Sequence, residues 1–291
     1  NAKIMKGIIL SGGKGTRLSP VTDATSKQLL PVFDKPLIYY PISTLISLQI
    51  SEILIISWPQ MIPLFRSLFG DGSHLGLKIQ YAIQDDPRGI AEALIIGEDF
   101  IGNDNVALIL GDNIFISDAL DSSITNSFDE GATIFTVKVN DPERYGVVKF
   151  SEKKIEDIVE KPKLYLSNQA VTGLYLYDHN CVQFAKSLKP SQRGEIEITD
   201  LNKIYLNNNN LNAINLGENA SWMDAGTFNS LLEASNLIHT LQKRHGRLFG
   251  SPEIASLQAN FINQDQLKHN LSKKPKNSYY KKILSHINPN V

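Results

Sequence analysis

The chain has 291 residues, 42% hydrophobic and 20% charged, with a formal net charge of −1, which admits one large α/β unit or two small ones and gives no global field for nucleic acid or an anionic membrane. Cys181 is the lone cysteine, so an intrachain disulfide and a cysteine-built zinc cluster are excluded. No apolar run approaches the roughly 20 residues that span a bilayer, and the first is too short for a secretory leader, so a cytoplasmic protein is expected.

Asn1 to Ile4 are set aside as a cloning remnant, with Met5 the expected start. The apolar run Lys6 to Leu10 predicts a buried strand. It empties into Ser11-Gly12-Gly13-Lys14-Gly15-Thr16-Arg17-Leu18, with three glycines, one threonine and two cations. Glycines let backbone N–H groups approach a ligand, and successive N–H groups in a turn favour anions. Arg17 adds a planar fork suited to phosphate oxygens. Lys27, just before Gln28-Leu29-Leu30-Pro31, adds a mobile point charge. The string reads as a polyphosphate site; a glycine-rich turn without a ligand is the alternative. The P-loop pattern fails, because no glycine-lysine pair is followed by Ser or Thr at the required spacing. The dinucleotide fingerprint fails because Leu18 stands where the third Gly or Ala belongs.

Further strands are predicted at Glu52 to Ser57, Lys78 to Ala82 and Val106 to Leu110, with helices at Ile38 to Ser47, Met61 to Phe69 and Ile90 to Phe100. Strand–helix alternation predicts a mostly parallel, covered sheet, with ligands at the carboxyl ends of its strands. Asp112 in Leu110-Gly111-Asp112-Asn113 falls at such an end. It could hold a divalent metal or serve as a turn former or cap. Gln84 follows a strand; its amide both donates and accepts, which suits the edge of thymine or uracil, and a solvated loop glutamine is the alternative. After about residue 130 the pattern turns β-rich, with strands at Ala132 to Val139, Gly146 to Phe150, Lys154 to Val159 and Leu174 to Tyr177. Helices are predicted at Leu201 to Leu206 and after Thr227, the latter with Phe228, Leu231, Leu232 and Ile238 on its apolar face. Asp224, in Trp222-Met223-Asp224-Ala225-Gly226-Thr227, ends another predicted strand. The tail reads as helical pieces broken near Pro275.

The segment Leu10 to Leu18 followed by Lys27 to Pro31 resembles the signature of sugar-phosphate nucleotidyltransferases. Val32-Phe33-Asp34-Lys35-Pro36-Leu37-Ile38-Tyr39-Tyr40-Pro41 resembles their glucose-1-phosphate thymidylyltransferase branch. Arg144-Tyr145-Gly146-Val147-Val148, Val159-Glu160-Lys161-Pro162, Val171-Thr172-Gly173-Leu174-Tyr175 and Gly194 to Asp200 match further family segments. The resemblance is close over residues 5–250 and weaker in the tail, where Leu257-Gln258-Ala259-Asn260 departs.

The resemblance implies a Rossmann-like, mostly parallel central sheet flanked by helices in residues 1–250, a β-rich sugar-side insertion at about 130–220, and a helical tail over 251–291. It implies catalytic roles for Arg17 and Lys27, and nucleotide contacts at Leu10, Gly12, Gly13, Gly15, Thr16, Gln28, Gln84 and Gly89. Sugar-phosphate contacts would come from Asn113, Tyr145, Gly146, Glu160, Lys161, Val171 and Tyr175, and magnesium ligands from Asp112 and Asp224. The implied reactants are dTTP and glucose 1-phosphate, with no nucleic-acid or membrane partner. A homotetramer with feedback inhibition by a dTDP-deoxysugar between subunits is implied too. Family members commonly carry Gln where Glu92 stands. Competing readings are a uridylyl- or cytidylyltransferase, a non-catalytic sugar-nucleotide sensor, and a dinucleotide-dependent oxidoreductase that the failed fingerprint disfavours.

Overall fold

The computed structural model describes residues 4–13, 15–152 and 154–287; Lys14 of the glycine-rich loop and Asn1 to Lys3 lie outside the described residues. The chain opens with β1 (Met5–Ser11), the ribbon β2 (Pro31–Val32) and β3 (Lys35–Pro36), and α1 (Tyr39–Ser47). Then come β4 (Glu52–Ser57), α2 (Ile62–Phe69), β5 (Lys78–Ile83), the short helices α3 (Glu92–Ile96) and α4 (Glu98–Ile101), β6 (Asn105–Leu110) and β7 (Asn113–Ile116). The middle of the chain gives α5 (Ser122–Ser127), β8 (Ala132–Lys138), β9 (Gly146–Ser151), β10 (Lys154–Glu160), β11 (Gln169–Tyr177), α6 (Cys181–Ser187) and α7 (Ile198–Asn207). It closes with β12 (Leu211–Asn215), β13 (Ser221–Asp224), α8 (Phe228–His245), α9 (Pro252–Gln258), α10 (Gln264–Ser272) and α11 (Ser278–Ile287).

A nine-stranded sheet runs in the order β10-β9-β11-β6-β1-β4-β5, with β8 beside β11 and β12 beside β8. β6, β1, β4 and β5 are mutually parallel neighbours, which puts Leu10, Ile56 and Leu110 level at one edge. Successive residues of a strand face opposite sides, so both sides are apolar. Ile9, Ile53 and Ile55 pack under α1 and α2 with Leu45 and Phe65. Ile8, Leu54 and Val106 pack on the other side with Leu94, Leu201 and Tyr205.

The β-rich segment is continuous with this sheet: β11 pairs antiparallel with β6 and with β8. The reason is that β11, the longest strand, is buried from Ala170 to Tyr177 and must be covered on both edges and both faces. One helix was expected across Ile90 to Phe100, but two short ones stand there, joined at Gly97. A Cβ at Gly97 would lie 2.6 Å from Ile8 Cδ1, so a side chain there would have to displace the Ile8 side chain that packs under the helices. Thr227 caps α8 in a reciprocal capping box with Ser230. The buried stripe of α8 is Ala234, Ile238 and Gln242, while Phe228 and Leu232 face solvent. Its register is set by the small pocket formed by Val32, Leu37 and Tyr40. In the tail, Leu267, Tyr279 and Ile283 gather around Ile254 at the foot of α1.

Leu45 sits fully buried between α1 and the sheet. Leu45→Ala should cost about 2–5 kcal/mol of unfolding free energy, measured by urea denaturation.

Candidate active site

A polar cavity of about 450 Å³ opens at the carboxyl edge of the parallel strands. Its lining includes Arg17, Asp112, Asp224 and Trp222, and also Gly146, Glu160, Lys161, Val171, Tyr175 and Arg193, with Tyr145 lying 3.5 Å from Asp224 and against the Trp222 ring. The glycine-rich loop leaves β1 and winds into a single 3₁₀ turn, Thr16–Leu18. Gly15 precedes that turn at φ +60°, a left-handed conformation that glycine adopts without strain. Leu10 lies within β1 and the loop residues Gly12 and Gly13 follow directly from its end, over the same edge as Leu110 and Asp112.

Lys27 and Gln28 lie on a third 3₁₀ turn, Lys27–Leu29, capped by the Ser26 hydroxyl. Gln28 is buried, hydrogen-bonded to Ser26, and packed where a Cβ on Gly111 would touch it. It therefore braces the turn that carries Lys27. The Lys27 ammonium pairs with the Asp112 carboxylate. Arg17 comes from across the cleft; a Cβ on Gly226 would lie 3.0 Å from its Nη2.

Asp112 and Asp224 meet through a device absent from the sequence reading, which put both at the ends of strands in one sheet. β7 and β13 form a separate two-stranded antiparallel ribbon in which Asp224 stands opposite Asn113. The Ala225 N–H donates to the Asp112 carbonyl at 2.9 Å and closes the ribbon's end. Trp222 on the ribbon donates its indole N–H to Asn113 Oδ1 at 2.6 Å. Asn113, expected at the sugar phosphate, lines the cavity, and its side chain is bonded within the protein. Its Oδ1 also accepts from the Gly173 N–H at 3.0 Å, and its Nδ2 donates to Asp112 Oδ1 at 2.9 Å. It is 2% exposed, and it aims Asp112.

The two carboxylates are held in opposite electrostatic states. Burial opposes ionisation of Asp112, but the Lys27 charge and hydrogen bond, helped by Asn113, outweigh it and hold the carboxyl below its usual range. For Asp224, burial is the largest influence and the Asp112 charge adds to it, so its carboxyl is pushed up despite Arg144, Arg17 and Lys27. The Tyr145 hydroxyl, pushed up to about 12 by burial and by Asp224, stays protonated and lies 3.5 Å from Asp224 Oδ1. Among the described residues no third His, Cys, Asp or Glu joins the pair. Two neighbouring carboxylates, one of them disfavoured by the charge of the other, with Arg17, Lys27 and Arg144 around them, are a donor set suited to magnesium, which takes its other ligands from phosphates and water.

In the β-rich half, Glu160 Oε2 accepts from the Thr199 hydroxyl at 2.7 Å, and Glu160 Oε1 lies 3.6 Å from Lys161 Nζ and 3.8 Å from Arg193 Nη2. Lys161 has φ +43°, a left-handed backbone for a non-glycine residue. Such a conformation costs on the order of 1–3 kcal/mol; it is held by the Lys161 N–H donating to the Tyr145 carbonyl at 2.9 Å. A Cβ on Gly146 would lie 3.3 Å from Glu160 Oε2, so this glycine keeps the floor of the cavity open. Gly89 is not among the lining residues; a Cβ there would lie 2.4 Å from the Ile196 carbonyl. Its missing side chain is thus required by the backbone of the 193–197 segment. Arg144, Arg193 and Trp222 line the cavity without having been singled out from the sequence. Arg193 directly precedes the matched Gly194-Glu195 segment, and that adjacency was the available signal.

A family model for nucleotidyl transferases matches residues 6–240. The glucose-1-phosphate thymidylyltransferase of Mycolicibacterium smegmatis is 50% identical over 265 residues, covering 90% of this chain and 92% of that protein. The protein of the same name from Xanthomonas campestris pv. campestris strain B100 is 49% identical over 279 residues, 95% of each chain. A solved Bacillus anthracis structure in complex with a sucrose has a TM-score of 0.75 at 44% identity, covering 80% of this chain and 94% of that one. UDP-glucose pyrophosphorylase complexed with UDP-glucose has a TM-score of 0.73 at 25% identity, covering 81% and 99%. The family match runs from the first strand through the ribbon and into the helix beyond Asp224, so every element that builds the cleft falls inside it, and the chain belongs to the nucleotidyl transferase family.

Proposed function

We propose that this chain transfers a thymidylyl group from dTTP to α-D-glucose 1-phosphate, giving dTDP-glucose and pyrophosphate. The observation that carries the reading is one polar cavity lined by two carboxylates and Arg17 and also by Lys161, Arg193 and Glu160. One cavity thus carries charge for a triphosphate and for a sugar phosphate, and relatives about half identical over most of their length are named for this reaction.

An oxygen of the sugar phosphate forms the new bond to the α-phosphorus, the bond from that phosphorus to the bridging oxygen breaks, and the electron pair leaves on pyrophosphate. No general base is needed, because a phosphate monoester oxygen is already anionic near neutral pH. The task is to bring two anions together, so positioning and charge stabilisation dominate. Lys161 and Arg193 hold the sugar phosphate, and Glu160, oriented by Thr199, accepts from sugar hydroxyls. Arg17 faces the charge that builds on the leaving pyrophosphate. Lys27 balances Asp112 in the free protein and would turn to the α-phosphate when the triphosphate binds beside that carboxylate. Magnesium held by Asp112 and Asp224 would withdraw charge from the triphosphate.

We further propose a homotetramer with feedback inhibition by a dTDP-deoxysugar made downstream. What supports association is Phe228 and Leu232, one turn apart on α8 and 48% and 61% exposed.

Pyrophosphate release tests the reaction: dTTP with glucose 1-phosphate should give turnover, and ATP should give at least about 100-fold less. Turnover of ATP equal to that of dTTP would defeat the reading. Asp112→Asn and Asp224→Asn should each remove metal-dependent turnover, and the double variant should be scarcely worse than either, as for groups that act as a unit. Asp224→Asn should leave the thermal midpoint unchanged or slightly higher, since it removes a carboxylate whose ionisation burial and Asp112 disfavour. Light scattering should give four times the 32.4 kDa chain mass, and Leu232→Glu should shift the species to smaller size.

A further inference from the structure

Arg193 is crowded by acid. Its Nε donates to Glu197 Oε1 at 3.1 Å, and its Nη2 lies 2.9 Å from Glu197 Oε1 and 2.8 Å from Oε2. The same Nη2 is 3.3 Å from Glu195 Oε2 and 3.8 Å from Glu160 Oε1. With Lys161 beside Glu160, the cluster holds two cations and three carboxylates, and all five residues line the cavity. A cluster with one carboxylate in excess repels a phosphate dianion. For a sugar phosphate to settle on Lys161 and Arg193, one carboxylate must give way.

The three are held with different firmness. Glu160 accepts from the Thr199 hydroxyl at 2.7 Å. Glu197, its side chain 12% exposed, forks the guanidinium, accepts from the Ser191 hydroxyl at 2.7 Å and stands at the N-cap of α7. Withdrawing it would strand a largely buried carboxylate without its partners. Glu195 is 42% exposed, and among the described residues its carboxylate pairs with Arg193 alone. Its backbone is fixed separately. The Ser191 N–H donates to the Glu195 carbonyl at 2.8 Å, and the Gly194 N–H donates to the Ser191 carbonyl at 2.8 Å. The Glu195 carboxylate can therefore turn into water without moving the segment that carries Arg193, and an exposed ion pair gives up little when it breaks.

We propose that Glu195 stands in for the phosphate of the sugar substrate on Arg193 in the free protein and is displaced by it, while Glu197 stays as the residue that positions the guanidinium. This rests on the nucleotidyl transfer proposed above. The displacement sets a threshold for occupancy. A dianion shared between Lys161 and Arg193 outcompetes one loosely held carboxylate, whereas a sugar without a phosphate offers Arg193 nothing in exchange. Selectivity then comes from the repulsive group as well as from the attractive ones. The two acids on one arginine have opposite effects: removing the charge of Glu195 improves phosphate binding, and removing that of Glu197 weakens it.

The test is steady-state kinetics of the full chain at saturating dTTP, with glucose 1-phosphate varied, for wild type, Glu195→Gln and Glu197→Gln. In Glu195→Gln the KM for glucose 1-phosphate should fall about three- to fivefold, the size of an exposed ion pair. Inorganic phosphate, competing with glucose 1-phosphate, should inhibit that variant more strongly by a similar factor. In Glu197→Gln the same KM should rise about tenfold or more, with kcat within about twofold, as expected when binding common to ground and transition state is lost. KM for dTTP should stay put in both. A Glu195→Gln whose KM for glucose 1-phosphate is unmoved or raised overturns the inference and leaves the proposed reaction intact, and so does a KM for dTTP that moves in step. A wild type inactive with dTTP and glucose 1-phosphate overturns the proposed reaction and this inference with it. Where Glu197→Gln does not fold, Ser191→Ala loosens the same carboxylate: KM for glucose 1-phosphate should rise, and an unmoved value overturns the positioning role.

Discussion

Two carboxylates forced into one cleft repel, and much of the site is arranged around that repulsion. The β7–β13 ribbon sets Asp224 opposite Asn113, one residue from Asp112, and the Ala225 N–H seals the end. Lys27 neutralises one carboxylate, and burial disfavours the charge on the other. A ribbon this short has little stability alone. It is held because Trp222 and Asn113 bond across it and Asn113 reaches the main sheet at Gly173. The acidic end of the cleft is thus anchored to β11, and β11 runs directly into the wall that carries Val171 and Tyr175.

Cations are distributed to match. Arg17 and Lys27 arrive on separate 3₁₀ turns from the N-terminal loop, while Lys161 and Arg193 come from the β-rich half. In the proposed reaction each half would bring charge for one anion, and two like-charged reactants would be held together where both halves meet, at the seam between the parallel and antiparallel parts of the sheet.

Much of this was legible in the residues. The parallel core followed from apolar runs whose bounds agree within a residue or two, because buried strands are continuously apolar. β4 runs from Glu52 to Ser57 as expected. What escaped was non-local. The ribbon is made of residues whose pairing partners lie over 100 positions away, and its strands are four residues each, too short for a period to register. The break at Gly97 depends on how closely Ile8 approaches, which helical periodicity does not encode. On α8, Phe228 and Leu232 look like core by residue type, yet the buried stripe is fixed by the small pocket opposite, and a glutamine, Gln242, is inside it. Gln242 is tolerated there because it donates to Asp34 and accepts from Lys35 and the Phe249 N–H. Asn113 lines the cavity, as its matching neighbours implied, and its bonds to Gly173 and Trp222 became visible only in three dimensions.

The bare backbone at Gly89 joins parts of the chain that are distant in sequence. Ile196 N–H donates to the Arg88 carbonyl at 2.7 Å, and the Ala91 N–H returns to the Ile196 carbonyl at 3.3 Å. Arg88 grips Glu92, which grips Gln84, while three residues before Ile196 stands Arg193 on the cavity wall. The turn at Gly89 and the segment that carries Arg193 are therefore joined backbone to backbone, so a side chain at Gly89 would press on the stretch leading to the cavity wall.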